Sequence, residues 1–325
     1  MKVKKLLALS MAAVMMLSSF SLTGCSSSKD GSEDTAGAPE TITVTYVSSP
    51  LNVPTIVEKN HSIFAENLKE LGVENVNYSD LTSGADQTQA LASGDIQFLY
   101  AVGATSVILS AANDADIKII SMYSRSPKAF CLFSNDDSIQ SPADLKGKTI
   151  AGPQGTILHE LLVAYLASGD MTIDDVNFVN TTIPDAMAAM NGGSADCALL
   201  AGAAAYNAQS SGAHLVTNGE NLVEATIVCA TTNAFYEAHK DVVEKFLEAQ
   251  QEVLTYMEEN KEDAIKETAE CLDLDVAAVE EMFAYYDFDM TVRDSDIEAM
   301  KSTMQFMLDT EMIEKEVDIE NLVIR

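Results

Sequence analysis

The segment GPQGTILHELL, residues 152–162, decides how this chain is interpreted, because a glycine-containing loop passes directly into a helix. From Ile157 to Leu162 the apolar residues repeat with the spacing of one helical face, which must pack on a sheet. Gly155 or Thr156 is placed to cap the helix N-terminus. The first turn leaves backbone N–H groups at the positive end of the helix dipole, where an anion or a strong acceptor is held well.

Short apolar strands alternate with helical stretches on both sides of this segment. Before it we predict strands at residues 41–47, 76–81, 96–102, 117–123 and 128–133, and helices at 54–71, 86–92 and 105–112. From it onward we predict strands at 149–151, 176–180 and 197–201, and helices at 156–167, 184–190 and 203–210. Only helical spacings follow residue 240. This rhythm predicts an α/β fold with largely parallel sheets.

Two segments, residues 94–104 and 193–203, share a Gly-x8-Gly-Ala frame. Each frame follows an alanine-containing helix and runs a strand into a glycine corner, which indicates two related halves. The corners at Gly103 and Gly202 would then lie at the carboxyl ends of strands in two separate sheets. Open α/β sheets bind their ligands at that position.

The N-terminus has the pattern of a targeting segment, with early lysines, an apolar run from Leu6 to Phe20 and the sequence Leu-Thr-Gly-Cys ending at Cys25. The run is shorter than the ~20 apolar residues of a membrane-spanning helix. It resembles the lipobox of bacterial lipoproteins, which implies a signal peptide at 1–24 and lipid on Cys25 at the extracytoplasmic face of the cell membrane. Residues 25–40 are small, polar and acidic, which predicts a flexible tether.

The charge balance argues against a nucleic-acid role, since 50 acidic and 19 basic residues give a net charge of −31, or −34 without the three lysines of residues 1–24. The sequence has neither the Asp spacing of a calcium loop nor a C-x-x-C pair, so we predict no metal site and no cofactor. The four remaining cysteines are far apart in apolar stretches: Cys131, Cys197, Cys229 and Cys271. We expect buried free thiols, with one disulfide left open as an alternative.

Four segments together resemble the periplasmic-type binding proteins of ABC importers. They are LASGD at 91–95, SIQSPADLKGKTI at 138–150, the Gly155-Thr156 helix start with HELL at 159–162, and PDAMAAM at 184–190. The branch concerned includes aliphatic-sulfonate, taurine, nitrate and thiamine-pyrimidine binding proteins. The likeness covers most of residues 41–310.

The resemblance implies a two-lobed α/β fold of the type II periplasmic-binding-protein kind, with a ligand cleft between the lobes and two crossover strands. Lobe 1 would comprise residues 41–133 plus 226–325, and lobe 2 residues 134–225. The resemblance implies that the protein is not an enzyme. It is a monomeric solute-binding component that captures a small organic anion of the sulfonate or taurine type by lobe closure and delivers it to an ABC permease and its ATPase.

The resemblance also implies which loops face the ligand. Transferred to this sequence, they contribute Ser48, Ser49, Gly103, Ala104, Thr105, Ser126, Gly155, Thr156, His159 and Gly202. Arg125 and Lys128, close to the first crossover, would assist in holding an anion. Many relatives carry tryptophan after the residue that matches Asp196, whereas this chain has none, so we expect a smaller and flatter wall in lobe 2.

Three other functions stay open at this point. In the first, a pyrimidine or other aromatic ligand stacks on Tyr46, Tyr100, Tyr123 or Phe130, with Glu224 or Asp196 accepting its amino group. The second is an enzyme, which the isolated histidines and the lack of H-E-x-x-H and G-x-S-x-G motifs disfavour. The third is a sensory lipoprotein that works without a permease.

Overall fold

A computed structural model describes residues 37–81 and 83–325 of the chain. The predicted signal peptide, Cys25 and the tether as far as residue 36 lie outside the described residues. The strands are β1 (Thr41–Tyr46), β2 (Asn75–Asp80), β3 (Leu99–Gly103), β4 (Lys118–Arg125), β5 (Phe130–Ser134), β6 (Thr149–Gly152), β7 (Asn177–Asn180), β8 (Cys197–Ala201), β9 (His214–Asn218) and β10 (Thr226–Thr231).

Helices separate most of these strands and make up almost the whole C-terminal part. They are α1 (Val53–His61), α2 (Ile63–Leu68), α3 (Gly84–Ser93), α4 (Ala104–Ala112), α5 (Ile157–Ala167), α6 (Ile183–Asn191), α7 (Gly202–Ser210), α8 (Asn233–Ala238), α9 (Lys240–Glu259), α10 (Lys261–Leu272), α11 (Val276–Phe283), α12 (Asp294–Asp309) and α13 (Ile319–Leu322). In the described part of the chain, no helix is long and apolar enough to cross a membrane.

The strands form two five-stranded arrays with matching orders. The first is β2-β1-β3-β10-β4; it consists of the two-stranded sheet β1-β2 and the three-stranded sheet β3-β10-β4, linked by an isolated parallel bridge between Val44 and Phe98, the residue before β3. The second is β7-β6-β8-β5-β9. In each array the fourth strand runs antiparallel to its neighbours and comes directly after a crossover from the other array. The two Gly-x8-Gly-Ala frames occupy equivalent strands, β3 and β8.

The crossovers define the two lobes. β5 pairs with β8 and β9, so residues 130–133 belong to the second sheet, and the predicted boundary after residue 133 is wrong by one strand. The chain crosses at residues 126–129 and again at 219–225. We therefore call residues 37–125 and 226–325 lobe 1, and residues 130–218 lobe 2.

Both faces of each sheet are covered, which explains why so many strands are continuous apolar runs. One face of lobe 1 carries an aromatic cluster in which Phe98 stacks on Phe246, with ring centroids 4.1 Å apart, and Tyr100 meets Phe64 edge to face. The lobe 2 core is aliphatic and rich in alanine, with Leu161 fully buried against its sheet. Fully burying a side chain of this size stabilises the fold by about 2–3 kcal/mol.

The predicted helix at 54–71 is divided in the structure. Phe64 donates its N–H to the Glu58 carboxylate at 3.1 Å instead of to the carbonyl of Asn60, and Ser62 takes a left-handed φ of 54°. The side chain of Glu58 therefore replaces one helical hydrogen bond and ends α1. Two further differences are β9, which we did not predict, and the irregular stretch 284–293 between α11 and α12.

The exposure of one cysteine and the position of the first ordered contacts also differ from expectation. Cys131, Cys197 and Cys229 are buried and free, whereas Cys271 is free but exposed. The carbonyl of Glu40 already accepts hydrogen bonds from two backbone N–H groups at the start of β2. Ordered contacts therefore begin before residue 41.

Candidate functional site

The inner parallel strands of both lobes lead into helices that begin without a side-chain cap. In lobe 1, β1 leads to α1 and β3 to α4; in lobe 2, β6 leads to α5 and β8 to α7. None of their N-cap residues accepts a hydrogen bond from its own helix through its side chain: Asn52, Gly103, Thr156 and Ala201. The outer helices α3 and α6, by contrast, are capped by Ser83 and Thr182. Among the helices that directly follow a strand in the described residues, those along the middle of each sheet edge are thus the uncapped ones; the C-terminal helices α9, α10 and α11 also begin without a side-chain cap.

The uncapped helix starts differ in what they can still offer a ligand. The first turn of α1 contains Pro54, which has no N–H, and its Thr55 N–H donates to the Tyr123 hydroxyl at 3.2 Å. The first-turn N–H groups of α4, α5 and α7 have no such partner among the described residues. Three helix N-termini therefore present free donors and a positive dipole end.

A close contact brings the two sheet edges together. Pro50, in the loop after β1, packs on Gly202 at the start of α7, and a Cβ built on Gly202 would lie 2.5 Å from the Pro50 carbonyl oxygen. Gly202 also has a φ of +54°. Only glycine fits there without strain. The carboxyl edge of the lobe 1 sheet thus faces that of lobe 2 across a closed cleft.

A second interlobe contact joins α5 to α12. Thr303 on α12 donates a 2.8 Å hydrogen bond to Glu160 on α5, and both side chains are buried. One turn further along α12, Phe306 meets the ring of His159 edge to face at 5.7 Å. Sequence reasoning missed Glu160, although a polar His-Glu pair inside an apolar helix is a recognisable signal of a buried contact.

Burial shifts both ionisable groups of α5 toward their neutral forms. It raises the pKa of Glu160 to about 7, a rise that the hydrogen bond from Thr303 partly opposes. It also lowers the pKa of His159 below its ordinary value. The Nδ1 atom of His159 accepts the Gly155 N–H at 3.4 Å, and its ring stacks on Phe178 with centroids 4.9 Å apart. His159 therefore supports the loop before α5, and that nitrogen is not free for a ligand.

The loop before α5 uses two more of its polar groups internally. The Thr156 hydroxyl donates to the Pro153 carbonyl at 2.9 Å, and the Gln154 N–H donates to the Asn180 side chain at 2.9 Å. What the loop presents outward is the N–H groups of the first helical turn. The helix start predicted from residues 152–162 is therefore correct. The groups that it offers to a ligand are backbone N–H groups rather than side chains.

The other predicted ligand residues fall into three groups. Gly103, Ala104 and Thr105 form the first turn of α4, with Thr105 buried. The serines flank the cleft and the crossover: Ser48 is half-buried, Ser49 is exposed, and Ser126 is buried with no hydrogen-bond partner for its hydroxyl among the described residues. Glu224 is exposed on the second crossover.

Arg125 does not hold an anion as expected. Its guanidinium makes two 2.5 Å hydrogen bonds to the buried Asp296 carboxylate and donates to the carbonyls of Asp289 and Thr291. This bidentate pair ties the end of β4 to the start of α12. Lys128 is half-exposed and pairs with Glu220 at 3.1 Å.

Three of the six residues named for an aromatic ligand are engaged within the protein. Tyr100 and Tyr123 are fully buried in the lobe 1 core, where their rings meet edge to face. Asp196 accepts the Thr149 N–H at 2.8 Å at the amino ends of β6 and β8, the far edge from the cleft. Both tyrosine rings therefore pack within the lobe 1 core, and Asp196 lies at the opposite edge of its sheet from the start of α7.

A model of the family described as NMT1/THI5 like matches residues 56–264 of this chain. The chain belongs to the NMT1/THI5-like family. A Bacillus subtilis (strain 168) protein, provisionally named an aliphatic sulfonates-binding protein, is 25% identical over 83% of this chain and 82% of its own length. The taurine-binding periplasmic protein of Escherichia coli (strain K12) is 30% identical over 63% of this chain and 62% of its own length.

A solved structure confirms the predicted fold. The periplasmic aliphatic sulphonate binding protein of Escherichia coli superposes with a TM-score of 0.79 at 20% identity, covering 89% of this chain and 93% of its own. The two-lobed periplasmic-binding-protein architecture is therefore the fold of this NMT1/THI5-like chain.

Proposed function

We propose that this chain is the extracytoplasmic solute-binding component of an ABC importer and that it captures a small organic sulfonate between its lobes. The observation that carries the proposal is the set of three uncapped helix starts, at α4, α5 and α7, on sheet edges that meet where Pro50 touches Gly202. The names of the sequence relatives, which are binding proteins for aliphatic sulfonates and taurine, support the ligand class and a non-enzymatic role.

A sulfonate suits these donors chemically. Its three oxygens accept hydrogen bonds in three directions and its single charge is favoured at the positive end of a helix dipole. The chain's strongly negative net charge does not prevent this, because exposed charges more than about 8 Å away are largely screened at physiological salt. The hydroxyl of Ser126, buried without a partner, is a further donor for the ligand.

The test is calorimetric titration of residues 36–325, which form a compact unit with their own cores. We expect binding of methanesulfonate, ethanesulfonate or taurine. Ala104→Pro removes one first-turn N–H of α4 while proline remains compatible with that first helical position, and it should weaken binding about tenfold for one lost charge-assisted hydrogen bond. Ala104→Gly, which keeps the N–H, should bind nearly as the parent does.

Some outcomes would move the proposal to another ligand or class. Binding of a thiamine-type pyrimidine with no response to any sulfonate would keep the importer role and change the ligand, and Glu224 would then be the first carboxylate to replace. Turnover of a bound compound by the pure protein would contradict a binding role altogether.

The partners we propose are a permease and an ATPase, with Cys25 carrying the lipid that holds a monomeric chain at the outer face of the membrane. A sensory lipoprotein would need no permease. Co-purification of a permease with the lipidated chain, abolished by Cys25→Ala but restored by a transmembrane anchor, would support delivery at the membrane.

A further inference from the structure

A cavity of about 150 Å³ lies between the lobes beside the start of α7. Lobe 2 lines it with β5, α7 and β9, and lobe 1 with the end of α11 and the residues that follow. It is separate from the contact between α5 and α12, and the function proposed above does not use it.

The walls of this cavity combine aromatic and apolar side chains with four polar ones: Lys128, Gln209, Asn218 and Glu281. Phe133 and Tyr206 come from lobe 2, and Met282 and Tyr286 from lobe 1. Leu215 also lines the cavity. It is 38% exposed, and few other large apolar side chains of the described residues are exposed. An apolar wall on both sides, with an apolar side chain left open at the mouth, fits an apolar occupant.

One polar group in the wall has no partner. The hydroxyl of Tyr286 is buried and makes no hydrogen bond within the described residues. Glu281, which also lines the cavity, accepts a hydrogen bond from the Tyr285 hydroxyl at 3.2 Å. A buried unpaired hydroxyl is costly, and a ligand that places a polar edge beside Tyr286 relieves that cost.

The cavity adjoins one of the proposed anion-binding helix starts. Gly202, the first residue of α7, is part of its lining, and Ala205 and Tyr206 follow one turn later. An anion that accepts N–H groups from the first turn of α7 therefore has its organic substituent next to the cavity. Helix α7 would then contact both the anionic head group of the ligand and its organic substituent.

The volume suits one ring. An apolar cavity of about 150 Å³ in another protein holds benzene, whereas the short two-carbon chain of taurine would leave most of the aromatic and apolar surface of this cavity without a partner. Ring faces also stack well on tyrosine and phenylalanine.

We propose that this cavity takes a ring-sized apolar substituent of the sulfonate, so that the chain prefers aryl or cycloalkyl sulfonates to taurine and methanesulfonate. The inference rests on the function proposed above. Because both lobes supply the walls, a bound ring also bridges them and favours the closed form, in line with a ligand that shifts a population toward the state it binds better.

The test compares affinities for benzenesulfonate and methanesulfonate by calorimetry on residues 36–325. In the parent we expect benzenesulfonate to bind at least tenfold more tightly. Ala205→Leu fills the cavity with three more carbons and should weaken benzenesulfonate at least tenfold while changing methanesulfonate less than threefold. Asn207→Leu, which introduces the same leucine side chain on the exposed side of α7 and outside the cavity lining, is the control and should change neither affinity.

A second variant keeps the test decisive if Ala205→Leu does not fold. Tyr206→Ala enlarges the cavity and should shift the preference toward naphthalene-2-sulfonate. Equal affinity of the parent for benzenesulfonate and methanesulfonate, or equal weakening of both by Ala205→Leu, would overturn the inference and leave the sulfonate function standing. No binding of any sulfonate would remove the proposed function and this inference together.

Discussion

The two lobes share one strand order yet handle buried polar groups differently. In lobe 1, the buried Asp296 carboxylate is held by Arg125 from the same lobe at 2.5 Å. In lobe 2, the buried Glu160 carboxyl has only a hydroxyl partner, Thr303, and that partner belongs to the other lobe. The Asp296 carboxylate is therefore paired within its own lobe, whereas the Glu160 carboxyl finds its partner on the other lobe. The Arg125–Asp296 pair is thus an anchor within lobe 1, and the Glu160–Thr303 hydrogen bond is a contact between the lobes.

The largest effect should come from breaking the anchor in lobe 1. Arg125→Ala leaves Asp296 buried without its cation, and losing one partner of a buried pair costs about 3–5 kcal/mol. Urea unfolding should show that loss in the free energy of unfolding. The control is Arg293→Ala, whose half-exposed pairs with Asp287 and Asp289 should contribute less than about 1 kcal/mol. Equal losses from both changes would contradict the anchor.

Matched core truncations test whether the lobes unfold together. Leu99 in lobe 1 and Leu161 in lobe 2 are both fully buried, so Leu99→Ala and Leu161→Ala should each cost about 2–5 kcal/mol. We expect a single unfolding transition for both, because the interlobe contacts and two crossovers couple the lobes. A second transition seen only with Leu161→Ala would show that lobe 2 unfolds alone.

The interlobe carboxyl should make ligand affinity depend on pH. The pKa of Glu160 is about 7 in the closed form, above the ordinary value of 4.5 that it regains in water, so closing favours the protonated acid. This contribution is complete below pH 4.5 and is lost as pH rises through 7. Sulfonate affinity should therefore fall about fourfold from pH 6.5 to 8.5.

His159, the other buried ionisable group of α5, does not oppose this effect between pH 6.5 and 8.5. Burial lowers the pKa of His159, so closing disfavours its charged form only at pH values below about 6.5. The shift of Glu160 arises from burial and from Thr303, and no charged side chain among the described residues contributes to it. Calorimetry on Glu160→Gln should give a flat profile between pH 6.5 and 8.5, and a flat profile in the parent would refute the coupling.

The smallest effect concerns the two equivalent strands. β3 contains a bulge at Ala101, which has a φ of +77°, while β8 pairs with β5 in unbroken register. Ala101→Gly relieves a left-handed alanine and adds backbone entropy to the unfolded chain, for a net gain of about 0.5 kcal/mol. Leu200→Gly in β8 is the contrasting variant and should destabilise. A loss of stability with Ala101→Gly would mean that packing of the methyl group stabilises the fold by more than the left-handed backbone conformation destabilises it.

Much of the site could be predicted because helix starts after parallel strands are local features. The glycine corners at Gly103 and Gly202 and the start of α5 all appear where the sequence placed them. The roles of single side chains were less predictable. Arg125 was expected to help hold an anion because it lies close to the first crossover, but its partner Asp296 lies 171 residues later. For His159, the sequence did not show that its Nδ1 atom accepts the Gly155 N–H.

The sequence by itself determined the alternating α/β pattern, the two related halves and the helix start at residues 155–157, because periodicity and capping depend on neighbours a few residues apart. Tertiary structure decided that β5 joins the second sheet, that Glu160 meets Thr303, and that α7 and α11 enclose a cavity. These features join segments that are distant in the chain, and their energies come from burial and pairing, which no local pattern records.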